Sequence, residues 1–493
     1  MKLRSILLLP LAAALLAAAP LSAATPIRLH PDNPRWFEWR GKATALVTSA
    51  EHYGAVVNPD FDFRRYLEAM QRDGMNYTRI FAGTYVEPSG AFGIARNTLA
   101  PASGRFLAPW ARSDQAGYAG GGNKFDLDRF SPEYLARLKD FIAAAGQRGI
   151  VVELTLFCST YTDKQWAVHP LNPTNNIQAI PVTDWKALHT TAVAPGIAER
   201  QEKLARWLVR ALNGFDNLFF EIQNEPWSDS HTMGDFINPY MVDHHKFPNA
   251  VEITSAASVA WQRRIAQAIV DEERALPHRH LIAQNISNFR LPVNDGDLVS
   301  EASILNFHYA YPEVVDWNRG LKRVIGYDET GFAGRDDATY RRQAWNFVLS
   351  GGAIYNNLDY SFSVGREDGA DLENKAPGGG SPTLRRQLKV LSEFVHRLDL
   401  AKMEPNPLLV ARAPGVVPRV LSARDGRAHA LYLQGRAPTA LELNMTGGSW
   451  TAEWISIEDG KVLKRETVSG GNAATVLTSP DFADAVALRL VRK

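Results

Sequence analysis

Glu225 and Glu329 each stand where an apolar run ends. LFFEI (218 to 222) leads through Gln223 and Asn224 into Glu225, and VIGY (324 to 327) leads through Asp328 into Glu329. The two acids are 104 positions apart (329 minus 225), each at the exit of a segment that reads as a buried strand. Paired carboxylates suit the cleavage of a glycosidic bond. One, protonated, delivers its proton to the leaving oxygen; the other, ionised, attacks the anomeric carbon, and retention of configuration needs the two about 5 to 5.5 Å apart. Asp328 competes for the second role, but alternation along a strand turns neighbours to opposite sides. Further polar residues at strand exits are Glu51, His52, Arg79, Asn285, His308 with Tyr309 and Tyr311, and Asn357 with Asp359. An arginine beside the nucleophile favours its charged form, and a tyrosine hydroxyl donates to it. Asn224 suits a sugar hydroxyl, and Trp227 and Trp185 offer aromatic faces for the C–H side of a pyranose.

Such residues converge only if the elements behind them are arranged in a ring. FDFRRYLEAMQRDG places Phe63, Tyr66, Leu67 and Met70 on one helical face that ends at Gly74. Ser131 before Pro132 predicts a second helix start, with Leu135, Leu138, Ile142 and Ala145 on one face, Gly149 as the stop, and the strand IVVELTLF directly after. The same unit recurs as helix 197 to 213 with NLFFEI, and helix 258 to 275 with HLIAQN; SILNFH, RVIGYDE and AIYNNLDY follow. Eight strands with intervening helices predict a (β/α)8 TIM barrel of the α/β class. An open doubly wound sheet would carry a glycine-rich phosphate loop after its first strand, where this chain has TSAEHYGAV. IRLHPDNPRWFEWRG predicts a hairpin before the barrel. Beyond residue 404 the helical period vanishes, and short alternating runs such as HALYLQG, ALELNM and WTAEWIS predict a small antiparallel β-sandwich. The expected organisation is a signal peptide over 1–24, a catalytic barrel with its hairpin over 25–403, and the sandwich over 404–493.

Bulk properties narrow the partners. A net charge of +1 over 493 residues argues against nucleic acid or an anionic membrane surface. Lys2 and Arg4, the apolar run from Ile6 to Ala19, and the small residues Ser22 and Ala24 read as an export signal, so a periplasmic or secreted location is expected. No later segment approaches the length of a membrane span. The single cysteine, Cys158, allows no intrachain disulfide and reads as a small buried hydrophobe. His231, His244 and His245 form no metal-ligand motif, and neither metal nor cofactor is expected. GYAGGGNKFD (117 to 126) reads as a lid over the cleft.

NEP at the exit of the fourth strand and E-x-G (Glu329, Thr330, Gly331) at the exit of the seventh resemble the retaining glycoside hydrolases of clan A, which include the family 5 cellulases and mannanases. The resemblance implies Glu225 as acid/base, Glu329 as nucleophile, Asn224 as the ligand of a sugar 2-hydroxyl and Arg79 as the arginine beneath the nucleophile. It also implies that His308 matches the histidine of the sixth strand and that a tyrosine following it reaches Glu329. The family's His-x-Tyr is replaced by His308-Tyr309-Ala310-Tyr311, so Tyr309 and Tyr311 both qualify as the partner of Glu329. Two family features lack counterparts: a histidine on strand three and a tryptophan platform on strand eight, for which Tyr355 or Tyr360 substitutes. The last segment resembles the β domains, often labelled collagen-binding, that follow apiosidase-type barrels. An exported retaining glycoside hydrolase acting on a β-linked glycan is therefore expected. The alternatives are a carbohydrate-binding protein on a degenerate barrel, or a transglycosylase.

Overall fold

The computed structural model describes residues 25–235, 250–288 and 292–493. The expected signal peptide, His244 and His245 lie outside them. Eight parallel strands form the barrel: β1 (Leu46–Ala50), β2 (Tyr77–Phe81), β3 (Val151–Cys158), β4 (Leu218–Asn224), β5 (Ile282–Asn288), β6 (Ile304–His308), β7 (Val324–Glu329) and β8 (Ile354–Leu358). Hydrogen-bonded neighbours run β1-β8-β7-β6-β5-β4-β3-β2. The seam between β1 and β2 is laced by Asn76, whose amide accepts from Val47 N–H and donates to the Ala45 carbonyl, both at 2.8 Å. Every residue of β3 and β4 is buried, because helices cover the outside and side chains fill the inside.

The outer layer is built from α1 (Phe63–Arg72), α2 (Pro132–Gln147), α3 (Pro195–Leu212), α4 (Ala256–Glu273), α5 (Glu313–Trp317), α6 (Asp337–Val348) and α7 (Pro382–His396). Their starts follow the local chemistry. Ser131 Oγ accepts from Tyr134 N–H with Pro132 in the first turn, and Ser381 caps α7 through Leu384 N–H in the same way. α1 buries Phe63, Tyr66, Leu67 and Met70, the stripe its spacing predicts. The N-terminal hairpin gains a third strand, giving Arg28–Leu29, Phe37–Trp39 and Lys42–Thr44.

Residues 83 to 128 contain more order than their composition suggests. Trp110–Ala116 pairs antiparallel with Asn123–Phe130, and the glycine-rich stretch is the turn between them. Tyr118 buries its ring against Phe106 and Phe125 and donates to the Val168 carbonyl at 2.8 Å. This segment is a packed hairpin and not a lid.

After α7 a six-stranded and a three-stranded antiparallel sheet enclose Trp450, Trp454, Leu431 and Leu488. The first strand of the larger sheet is Met403–Pro405. The larger sheet also packs on the barrel: Leu421, Tyr432 and Ala487 belong to the barrel's own core, and Tyr432 stacks on Trp345 of α6 with ring centroids 5.5 Å apart. Among the described residues no helix is long and apolar enough to cross a membrane.

Candidate active site

At the strand exits the chain bends sharply. Tyr53 (φ 59°), Glu225 (φ 48°) and Tyr309 (φ 49°) follow β1, β4 and β6 in the left-handed region that non-glycine side chains avoid, and Phe92 (φ 53°) does so in the loop above. All four line one cavity of about 660 Å³. Such bends cost roughly 1–3 kcal/mol each and persist where surrounding bonds hold them. For Glu225 those bonds come from Asn285 Oδ1, which accepts its N–H at 3.0 Å, and from Ser159, whose hydroxyl donates to its carbonyl at 2.6 Å.

Glu329 has both carboxylate oxygens occupied. Oε1 accepts from Tyr309 at 2.8 Å; Oε2 accepts from Tyr53 at 2.6 Å and from Arg79 Nη1 at 3.3 Å. Of the two tyrosines that follow His308, Tyr309 and not Tyr311 meets this carboxylate. Arg79 is fully buried beneath it and also binds Glu221, Tyr53 at 2.9 Å and Asn224 Oδ1 at 2.8 Å. Burial works against its charge, but Glu221, Tyr53, Asp328 and Glu153 outweigh it, so the guanidinium is held charged. Asn224, fixed by that contact, donates to Tyr161 at 2.8 Å.

Glu225 Oε1 lies 2.9 Å from His308 Nδ1. Burial pushes the Glu225 carboxyl up, yet the His308 imidazole, Tyr161 and Arg79 bring it below the usual value. Burial likewise opposes a charge on His308, while Glu329, Asp328 and Glu225 raise its pKa well above that of an ordinary imidazole. The pair therefore holds one proton close to the cavity. Carboxylate oxygens of Glu225 and Glu329, with a His308 nitrogen, lie within 4.8 Å of one another. Below them, Glu153, Glu221 and Asp328 also bring carboxylate oxygens within 4.8 Å. Both triads have metal-ligand chemistry; many of their oxygens are engaged by Arg79, Asn285, Asn306, His308 and the tyrosines Tyr53, Tyr77 and Tyr309, while the buried Asp328 Oδ1 has no hydrogen-bond partner among the described residues.

Asp328 and Glu329 do not simply alternate. The pairing of β6 with β7 steps from Phe307–Tyr327 to His308–Glu329, leaving Asp328 as an extra residue. That bulge turns Asp328 into the barrel, 3.4 Å from Arg79 and 3.5 Å from His308 Nε2, while Glu329 faces the cavity.

Of the other expected site residues, His52 lines the cavity and lies 3.3 Å from Glu87. Trp227 also lines it but is almost wholly buried, its ring edge-on to His308 at 5.4 Å. Arg79, Asn285 and His308 lie behind the cavity wall and hold its residues in place. Glu51 is turned away: its carboxylate accepts from Gly54 and Ala55 N–H at 2.9 and 3.0 Å and shapes the loop after β1. Tyr311 lies in a separate cleft against the sandwich. Trp185 bonds Asp163 instead of the cavity, and Tyr355 is buried on the Tyr340 carbonyl. Cys158 reaches the cavity wall, but burial pushes its thiol well up, out of the range of a nucleophile.

Tyr53, Glu87 and Tyr161 are cavity residues that sequence reasoning missed. For Tyr53 a signal existed, since it directly follows His52 at the exit of β1. Glu153 and Glu221 were legible as acids set inside apolar strands, VVELTLF and LFFEI. At the mouth, Phe92 (41% exposed) and Phe332 (39%) stand edge to face with centroids 6.4 Å apart.

No protein-family model matches this sequence, and no curated protein matches it. Solved structures do share its fold. A structure described as a glycoside hydrolase aligns with a TM-score of 0.61 at 11% identity, covering 95% of this chain and 97% of its own. A glycoside hydrolase family 5 structure from Bacteroides vulgatus aligns with a TM-score of 0.61 at 11% identity, covering 95% and 94%. The barrel and the domain behind it thus have the architecture of glycoside hydrolase structures over nearly their whole length.

Proposed function

We propose that the protein is an exported retaining glycoside hydrolase that cleaves a β-linked glycan, with Glu329 as nucleophile and Glu225 as acid/base. The observation that carries this reading is the approach of carboxylate oxygens of the two residues to within 4.8 Å, which favours the short separation of a double displacement over the wider one of an inverting pair. In the first step a Glu329 oxygen bonds to the anomeric carbon as the glycosidic bond breaks, and Glu225 passes a proton to the departing oxygen. The proton comes from the pair that Glu225 shares with His308. In the second step Glu225 takes a proton from water, the hydroxide attacks the anomeric carbon, and the ester to Glu329 breaks. Tyr53, Tyr309 and Arg79 hold the nucleophile in place, and Asn224 presents its amide to the cavity. The N-terminal Lys2, Arg4 and apolar run support export.

A panel of purified β-glucans, β-mannans and β-xylans, with proton NMR of the first product formed, tests the proposal. The β-anomer appearing first is expected. The α-anomer appearing first would exclude retention, and binding without cleavage would favour a carbohydrate-binding protein.

A further inference from the structure

A second cleft, larger than the cavity at the carboxylates, opens where the barrel meets the sandwich. Its barrel wall is formed by the loops after β6 and β7 and by α6. Its far wall comes from the sandwich strands Val416–Ala423 and Ala428–Gly435. Tyr309 and Phe332 line this cleft and the cavity above Glu329 alike. Tyr309, one of the two tyrosines that donate to Glu329, is therefore also part of the second cleft, and the two spaces adjoin at the chemistry.

From this adjacency we infer that the cleft binds the sugar units of the glycan chain that extend beyond the bond being cleaved, so that the sandwich domain forms part of the substrate-binding surface. The inference rests on the hydrolase reading. The lining has the chemistry of an uncharged polyol. Tyr311 and Phe332 supply aromatic surface, while Gln343 and Gln434 bring amide nitrogens that can donate hydrogen bonds to hydroxyls. The cations of the cleft are already matched: Arg342 binds Asp484 at 2.9 Å, and Arg419 lies 3.5 Å from Glu313. A phosphorylated or acidic ligand would need uncompensated positive charge there. The walls are also fixed relative to each other, since Asn346 donates to Gln434 at 2.7 Å across the domain boundary and Tyr432 stacks on Trp345. A cleft held open by such contacts costs a ligand little to order. Its greater volume suits it to several sugar units, against the smaller cavity at the carboxylates.

Val417, 55% exposed on the sandwich wall, gives the test. Val417→Arg projects a long cationic side chain into the cleft from a position that does not pack the core, and Gln434→Ala removes an amide. The probes are β-1,4-linked manno-, gluco- and xylo-oligosaccharides from dimer to hexamer, compared with 4-nitrophenyl β-glycosides. In the parent, kcat/KM should rise with chain length. Each variant should lower the ratio of hexamer to aryl glycoside by about tenfold or more, equivalent to ~1.4 kcal/mol. An unchanged ratio in variants that melt like the parent would overturn the inference. If the parent cleaves none of the probes, the hydrolase reading fails separately, and calorimetric titration of the hexamers into the full chain decides about the cleft. Binding weakened by Val417→Arg then supports it; absent or unaltered binding overturns it.

Discussion

His308 sits between two carboxylates that have different duties in the proposed cycle, and its charge links them. Its Nδ1 is 2.9 Å from Glu225 and 3.5 Å from Glu329. Because its pKa is raised and that of Glu225 lowered, the shared proton stays until pH is well above the ordinary imidazole range of about 6.5. In His308→Asn the proton must reside on Glu225 alone. The alkaline limb of kcat/KM should then move to lower pH by about one unit or more; a limb that stays in place would separate His308 from proton transfer. Glu225→Ala should slow glycosides with poor leaving groups by roughly 10²–10⁴-fold and 4-nitrophenyl glycosides far less, measured as kcat/KM for both. The two carboxylates were legible in the sequence because each directly terminates an apolar strand. Glu87 and Tyr161 were not, since loops of irregular shape carry them to the cavity and local pattern does not reveal where such loops fold.

Among the elements, β3, β4 and β7 carry an acidic layer inside the barrel. Glu153, Glu221 and Asp328 lie together around the Arg79 guanidinium, with the His308 imidazole beside Asp328 alone of the three. Burial raises the Glu153 carboxyl well above its usual value and pushes Glu221 up to about 7, whereas Arg79 and His308 overcome burial at Asp328 and lower it. A carboxyl with a raised folded pKa contributes stability that is complete below its unfolded pKa of about 4.3 and is lost as pH rises through the folded value. Thermal stability should therefore decline from mildly acidic pH through neutrality. Glu153→Gln, which keeps the shape and removes the ionisation, should flatten this decline, so that its Tm gains on the parent as pH rises above the unfolded carboxyl value. An equal fall in both proteins would show that Glu153 is not the titrating group. Strand and helix order was readable from periodicity and caps. The bulge at Asp328 was not, because register depends on the partner strand, and the hairpin at 110–130 was hidden by the glycines of its turn.

At the scale of the whole molecule, barrel and sandwich share a continuous core through Trp345 and Tyr432, braced by Arg341 and Arg342 on Asp484. Tyr432→Ala should cost about 3–5 kcal/mol, as for other buried aromatics. Calorimetry should find one unfolding transition in the parent; two independent transitions would contradict the shared core. The sandwich was legible as an alternating, turn-rich tail, but its attachment was not, since the residues on the joint look like any other strand or helix face. All three scales meet in Glu329, which the barrel presents, the bulge aims and Tyr53, Tyr309 and Arg79 hold. The most direct test is Glu329→Gly assayed with an aryl β-glycoside, with and without azide. Turnover should vanish without azide and return with it, giving the α-glycosyl azide, because the anion enters the space the carboxylate left. Undiminished hydrolysis by Glu329→Gly would contradict the assignment.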